Sequence, residues 1–234
     1  PLKPYEVLEL FNKDEGIKSK STFVSFYEYD PYKINGTFEL EHVNKYINIH
    51  FKENEFSGYD AKLILWGNDK KNIIDLNRYS KNILSSGLIE LNKFEDINQI
   101  SIIYDTKPEI IFNKKLHGKI FSSKKESSLK FENFEVVSNK ESFNFDSFIS
   151  INEEQINTPK EFTKISNPII ISPNTISFKD YITLKYVNTK PIKGGLYQLN
   201  EKKEKWIFKG KINPYGQAEI KLFSGGIFCI LDEE

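Results

Sequence analysis

The chain has 234 residues, enough for one large domain or for two domains of about 110 residues that each bury roughly two-thirds of their unfolded surface. Basic and acidic residues number 33 each, so the formal net charge is zero and neither a nucleic acid nor an anionic membrane has a long-range electrostatic reason to bind. No apolar run approaches the roughly 20 residues of a transmembrane helix, and no signal peptide is evident. We therefore expect no nucleic-acid partner and no transmembrane segment.

The residue types favour β-structure. Nineteen Phe and twelve Tyr are suited to pleated, half-buried surfaces. Cys229 is the single cysteine, which excludes an intrachain disulfide, and its position in an apolar segment predicts a buried and inert thiol. Because the chain begins at Pro1 and contains no Met, it is expected to be a processed product or a fragment.

Residues 1–20 are interpreted as a lead-in segment, and a first β-sandwich is predicted over residues 21–118. Its clearest element is a hairpin over residues 34–52 that turns at Asn44-Lys45. This register places Phe38 opposite Phe51 on an apolar face and Glu39 opposite His50 on a polar, solvated face. Later elements are a strand over 59–66, a turn at 67–69, short strands at 73–74 and 88–91 joined by irregular chain, and a buried strand over 99–104.

Residues 119–129 are rich in Ser and Lys, offer little to bury, and mark the boundary with a second sandwich over residues 119–234. A short strand over 168–173 is bracketed by prolines, which favours an edge or crossing position. The other predicted strands are 131–137, 143–151, 183–187, a hairpin of 194–199 with 206–212, a strictly alternating 218–222, and a closing strand over 227–231 that follows Gly225-Gly226.

No catalytic constellation is evident. The histidines His42, His50 and His117 lack the spacings of zinc sites, and His42 and His50 belong to opposite faces of the hairpin, so we interpret all three as surface or sheet-end residues. No nucleophile elbow or phosphate loop is present. The sequence therefore predicts no catalytic residue, no metal and no cofactor. Tyr197 and Trp206, which lie near each other across the C-terminal hairpin, are the candidate binding pair for a glycan if exposed, and a structural pair if buried.

The C-terminal hundred residues resemble the immunoglobulin-like β-sandwich beside the catalytic domains of secreted M23-type peptidoglycan endopeptidases and their inactive relatives. The resemblance rests on residues 182–186, 195–199, 205–210 and 226–232, in which a tyrosine strand, a tryptophan strand and a closing Gly-x-Phe strand end at an acidic residue. Residues 1–5 also look like the segment that closes an M23 domain. The His-x-x-x-Asp and His-x-His zinc motifs of M23 enzymes are absent, so the resemblance implies an accessory region without an active site.

These observations together predict an all-β chain of two immunoglobulin-like sandwiches in series. We expect a non-catalytic accessory, spacer or docking module of a periplasmic or extracellular cell-envelope protein, linked to an M23-type peptidoglycan hydrolase and bound to peptidoglycan or another envelope protein. The alternative is a surface adhesin that binds host proteins. A third possibility, an enzyme of an unrecognised class, would require a polar cleft between the two sandwiches lined by acidic residues.

Overall fold

The computed structural model describes residues 36–68, 70–105, 107–156, 158–159, 162–174 and 177–233, with only the backbone described at 107–111 and 233. Within these ranges the regular structure is eighteen strands and one 3₁₀ turn at Leu91–Phe94, and every strand pairing is antiparallel. The all-β class and its sandwich-like arrangement are confirmed. The lead-in segment, and residues 21–35 of the first predicted sandwich, lie outside the described residues.

Seven strands form the N-terminal sheet, in the order β1-β2-β5-β4-β3-β6-β7. They are β1 (Gly36–Val43), β2 (Tyr46–Glu53), β3 (Ala61–Gly67), β4 (Lys71–Ser80), β5 (Ile83–Glu90), β6 (Ile97–Tyr104) and β7 (Lys107–Lys115). The first part of β4 pairs with β3 and its last part pairs with β5. The sheet folds over itself at this strand, since Phe38 of β1 and Phe112 of β7 make an edge-to-face contact with ring centroids 4.9 Å apart. The apolar core lies between the two halves of the folded sheet.

The first hairpin has the predicted register. Phe38 pairs with Phe51 and Glu39 with His50, and the turn lies at Asn44-Lys45, where Asn44 has a φ of 54°. Phe51 is fully buried whereas Glu39 is exposed. The predicted buried strand over 99–104 is also confirmed within β6. The apolar alternation of the hairpin specifies which of its faces is buried, and the near-continuous apolar run of residues 99–104 is typical of a buried strand.

The expected irregular chain between residues 74 and 88 is instead a hairpin of β4 and β5, whose pairing shifts register between Arg78 and Ser80. This stretch contains Asp75, Asn77, Ser85 and Ser86, which have low strand propensity in isolation. Contacts outside the hairpin add to its stability, since Arg78 of β4 donates a hydrogen bond to Glu53 of β2. Residues 59–60 precede β3 and are not part of it.

The remaining strands form a two-sheet C-terminal sandwich. They are β8 (Gly118–Phe121), β9 (Ser127–Phe131), β10 (Phe134–Ser138), β11 (Ser147–Glu153), β12 (Phe162–Lys164), β13 (Ile169–Ser172), β14 (Ser177–Val187), β15 (Gly195–Asn200), β16 (Lys205–Lys211), β17 (Gln217–Ser224) and β18 (Gly226–Glu233). One sheet has the order β17-β14-β10-β9, and the other has the order β16-β15-β18-β13-β11-β8 with β12 beside β18. Apolar side chains of both sheets, among them Leu184 and Phe228, form a shared core.

The closing strand β18 lies inside its sheet, between β15 and β13. It follows β17 after one residue, Gly225, yet β17 belongs to the opposite sheet. The chain therefore crosses the sandwich at this glycine. A Cβ at Gly225 would clash with the carbonyl oxygens of Ile171 and Pro173, so only glycine fits here.

Gly225→Ala is expected to lower the free energy of unfolding by about 1 to 3 kcal/mol, because the added methyl must displace two backbone carbonyls. Chemical denaturation followed by circular dichroism measures the change. Gly87→Ala is the comparison: a Cβ at Gly87 meets open space, but its φ of 66° disfavours alanine by about 1 to 2 kcal/mol. A native-like stability of Gly225→Ala would mean that the backbone around Gly225 can shift to admit the methyl group at no cost.

Three C-terminal expectations were wrong. Residues 119–129 include parts of β8 and β9, and their Phe121 and Leu129 belong to the core. The predicted strand over 131–137 is broken by a turn in which Glu132 has a φ of 51°. The proline-bracketed β13 is an interior strand paired with both β11 and β18. Prolines disfavour interior strands only where a ladder N–H is required, and both prolines flank the paired residues.

A hydrophobic junction joins the two halves. The N-terminal sheet ends with β7 at Lys115, and the C-terminal sandwich begins with β8 at Gly118. Phe148 of β11 is buried in the N-terminal core, where its ring lies 5.2 Å from that of Phe94. The assignment of each half to the immunoglobulin-like type stays a prediction.

Candidate functional site

The C-terminal hairpin places the predicted pair, Tyr197 and Trp206, on one face. Leu199 lies opposite Trp206, and Tyr197 lies opposite Phe208, so the pair is diagonal in the ladder. Both are largely buried, with exposed fractions of 5% for Tyr197 and 9% for Trp206. Together with apolar side chains of β18 they form a small cluster on the outer face of the sheet. In this conformation neither ring is open for stacking on a ligand.

A groove of about 760 Å³ lies beside Tyr197, and its walls carry Phe208, Lys211 and Asp232. The exposed aromatic ring at this location is Phe208, which is 53% exposed, and not Trp206. Its ring centroid lies 5.4 Å from that of Tyr197 in an edge-to-face contact. The tyrosine thus supports the groove wall, while the tryptophan is not among the lining residues.

Cys229 is fully buried, as predicted, and its thiol donates a hydrogen bond to the carbonyl of Ser166 at 3.2 Å. Burial raises the pKa of this thiol to about 11, so the reactive thiolate is scarce at neutral pH. Among the described residues no group of three or more His, Cys, Asp or Glu side chains is placed to hold a metal ion. Equally, no helix in the described part of the chain is long and apolar enough to span a membrane.

His42 departs from the expectation of a surface histidine. It lies next to the end of β1, as predicted, but both ring nitrogens are buried and neither makes a hydrogen bond of normal geometry. Burial lowers the pKa of His42 to about 4, so the imidazole is neutral at pH 7. His50 lies on the opposite, outer face of the sheet, and His117 is exposed beside Phe131.

The strongest candidate site is on that outer face. We call it the platform and define it by six side chains of β1, β2, β4 and β5: Glu41, Asn48, His50, Tyr79, Ser85 and Ser86.

A β-bulge shapes the platform. Asn48 pairs with Leu88 and His50 with Ser85, so a single residue of β2 faces Ser86 and Gly87. Gly87 has a φ of 66°, and the backbone N–H of Ile49 donates to Ser86 Oγ at 2.9 Å instead of to a carbonyl. Bulges change the direction of side chains and occur often beside binding sites. Here the bulge places the hydroxyls of Ser85 and Ser86 beside the same side-chain oxygen, Asn48 Oδ1.

Hydrogen bonds order the polar centre of the platform. Glu41 Oε2 lies 3.1 Å from His50 Nε2 and accepts from Asn48 Nδ2 at 3.3 Å. Ser85 Oγ donates to Asn48 Oδ1 at 2.8 Å. The hydrogen bonds from His50 and then Asn48 hold the pKa of Glu41 below its usual value, so the carboxylate is ionised at neutral pH. The centre therefore offers fixed acceptors and donors from four neighbouring side chains.

Apolar groups flank this polar centre. Tyr79 is 77% exposed, and its ring centroid lies 6.2 Å from that of His50. Leu88, which pairs with Asn48, is also exposed. An aromatic face beside an acid, an amide and hydroxyls can stack on the apolar side of a sugar while hydrogen bonding its hydroxyl groups. Sequence reasoning missed this site, and its available signal was Ser85-Ser86-Gly87 inside a strand.

An ion pair between a partly exposed guanidinium and a fully buried carboxylate lies beneath Tyr79. Arg78, the only arginine of the chain, donates to Glu53 Oε2 at 2.8 Å, to the carbonyl of Tyr59 at 2.8 Å and to Ser57 Oγ at 3.3 Å. Glu53 is fully buried and also accepts from Ser57 and Tyr104. Burial opposes ionisation of Glu53, but the hydrogen bonds, that of Arg78 foremost, outweigh it and hold its pKa below the usual value. A guanidinium can serve three acceptors at once, which an ammonium point charge does less well.

A second groove, of about 730 Å³, separates the two halves beside the hydrophobic junction. We call it the junction groove. Its charged lining residues are Lys45, Glu90, Glu95, Asp96, Lys119, Lys125 and Asp146. This is the polar, partly acidic cleft between the halves that an unrecognised enzyme would require, and the absence of catalysis stays a prediction.

The chain matches no protein-family model, and no curated protein is detectably similar to it in sequence.

Proposed function

We propose that this chain is a non-catalytic docking module of a bacterial cell-envelope protein, linked to an M23-type peptidoglycan hydrolase, and that it binds the glycan strands of peptidoglycan. The observation that carries the proposal is the platform, where an exposed Tyr79 adjoins an ordered set of polar side chains on a sheet. The resemblance of the C-terminal hundred residues supports the envelope context.

The platform suits a sugar polymer for physical reasons. Glu41, Asn48 and His50 are held by one another before any ligand arrives, so binding costs little side-chain entropy. The platform lies on paired strands, which position groups more precisely than loops do. A net charge of zero also removes long-range repulsion from a polymer of either sign.

Removal of the Tyr79 ring is expected to weaken retention on purified peptidoglycan at least about fivefold, equivalent to ~1 kcal/mol or more. Sedimentation of the chain with peptidoglycan measures retention, and soluble N-acetylglucosamine oligomers should compete. Tyr79→Phe keeps the ring and should retain most binding. Tyr215→Ala is the matched control, because Tyr215 is 79% exposed but lies in the C-terminal sandwich.

The same assay separates the alternative. Surface adhesins bind host proteins, so immobilised extracellular-matrix proteins are tested in parallel with peptidoglycan. Retention on matrix proteins without retention on peptidoglycan would support the adhesin and refute the docking proposal. Equal retention of Tyr79→Ala and the unmodified chain on peptidoglycan would show that the platform is not the binding site.

A further inference from the structure

We propose that the junction groove binds a short zwitterionic peptide, with its ammonium end against Glu95 and Asp96 and its carboxylate end against Lys119 and Lys125. This site shares no residue with the platform, so it does not depend on the proposed glycan binding. Its volume of about 730 Å³ is within the range of small-ligand sites.

One wall of the groove belongs to the N-terminal half, at the end of β5 and in the turns near it, and carries Lys45, Glu90, Glu95 and Asp96. Two of these groups are engaged within the wall. The Lys45 ammonium lies 5.5 Å from the neighbouring tyrosine ring, and Glu90 accepts a hydrogen bond from Asn92 at 3.2 Å. The carboxylates of Glu95 and Asp96 make no hydrogen bond or ion pair with any described residue, so this wall presents negative charge.

The opposite wall belongs to β8 and the segments near it, and it carries Lys119, Lys125 and Asp146. Asp146 is engaged, because its Oδ1 accepts from both the backbone N–H and the hydroxyl of Ser123, at 2.8 and 2.9 Å. Lys119 makes one long hydrogen bond of 3.4 Å, to the carbonyl of Ser128. Lys125 has no partner in the described part of the chain, so this wall presents positive charge.

The described ion pairs do not join these walls across the groove. The separation is maintained by the hydrophobic junction, in which Phe148 is buried against Phe94 and leaves no room for a Cβ at Gly118. Two walls fixed in this way do not need to be ordered when a ligand binds. The groove therefore offers opposite charges that no ion pair among the described residues neutralises across it.

A ligand with a single charge would be attracted to one wall of the groove and repelled by the other. A ligand with an ammonium at one end and a carboxylate at the other gains at both. Between the ends, the side chains of Asn92 and Ser122, which also line the groove, can hydrogen bond peptide amides. Leu91 and Ile120 supply apolar lining for small side chains. A short peptide with free termini combines these features.

Trialanine is the probe, and ¹⁵N chemical-shift titration of the full chain is the measurement. Trialanine is expected to shift the amide signals of residues that line the junction groove. N-acetyl-trialanine and trialanine amide each lack one charge and should bind about two- to fivefold more weakly than trialanine, since each loses one exposed ion pair. Equal affinity for all three peptides, or shifts confined to other surfaces, would overturn the proposal.

Charge-reversal variants test which wall binds the ammonium end of the peptide and which binds the carboxylate end. Lys125→Glu is expected to weaken trialanine binding and to make trialanine amide the preferred peptide, whereas Glu95→Lys should make N-acetyl-trialanine the preferred one. Both positions are exposed, so the fold should persist. Lys202→Glu, at an exposed position in the turn between β15 and β16, is the matched control. Unchanged peptide preference in both wall variants would contradict the assignment.

Discussion

Replacement of Arg78 with leucine is expected to lower the free energy of unfolding by about 3 to 5 kcal/mol, measured by urea denaturation at pH 7. The substitution leaves the carboxylate of Glu53 fully buried without its cation. Hydrogen bonds from Ser57 and Tyr104 remain but do not balance a buried charge. Arg78→Lys keeps the positive charge but loses the second N–H group that donates to the Tyr59 carbonyl. Its free energy of unfolding should therefore lie between those of the unmodified chain and Arg78→Leu.

The pH dependence of this effect has a definite sign. In the unmodified chain the pKa of Glu53 is lowered, so its stabilising contribution is complete above the unfolded value of about 4.3 and is lost as the pH falls through the folded pKa. Without Arg78, burial dominates and raises the pKa of Glu53 above that value. The penalty of Arg78→Leu should therefore be largest near pH 7 and shrink on acidification.

A double-mutant cycle with Glu53→Leu tests the pairing. The double variant removes the uncompensated charge, so its loss should be smaller than the sum of the single losses. The control is Lys62→Leu, which breaks the exposed 2.8 Å ion pair of Lys62 with Asp105 and should leave stability nearly unchanged. Additive losses in the cycle, or a pH-independent penalty for Arg78→Leu, would refute a coupled buried pair.

Trp206→Ala is expected to destabilise the C-terminal sandwich by about 3 to 5 kcal/mol. The indole is 9% exposed and packs with Tyr197 and Ile227 over the outer face of the sheet. Its removal opens a cavity above β18, the central strand of that sheet. Differential scanning calorimetry of the full chain gives the change in melting temperature and reports whether the two halves unfold together.

Ile207→Ala is the matched control, because Ile207 is adjacent on β16 but 43% exposed, and its truncation should cost far less. An unchanged melting temperature of Trp206→Ala would indicate that the indole is mobile enough to be replaced by solvent. In that case the glycan-binding hypothesis for Tyr197 and Trp206 would regain support. A large loss of stability would instead assign the pair to the structure of the hairpin.

Local patterns were sufficient for several elements. The hairpin of β1 and β2, the strand β17 and the pairing of β15 with β16 follow from alternation and turn residues within about twenty positions. The burial of Cys229 follows from the apolar residues around it. In these segments each side chain contacts neighbours that are close in sequence, so the local sequence is enough to predict the strand and its pairing.

The candidate site could not be predicted in the same way. Arg78 and Glu53 are 25 positions apart, and nothing in the local sequence of either residue indicates a buried partner. The platform depends on a bulge that sets Ser86 against β2, 37 positions away from Ile49. The expected edge position of β13 was wrong for a related reason, because strand order depends on which distant strands pair.

The sequence by itself determined the all-β class, the polar and apolar faces of the clearest hairpins and the neutral charge. Only the tertiary structure decided that the closing strand lies at the centre of its sheet, that Tyr197 and Trp206 are buried, and that the exposed ring of Tyr79 adjoins the ordered polar side chains of the platform on the N-terminal half. The physical reason is that alternation specifies which face of a strand is buried, whereas long-range pairing and packing specify what covers that face.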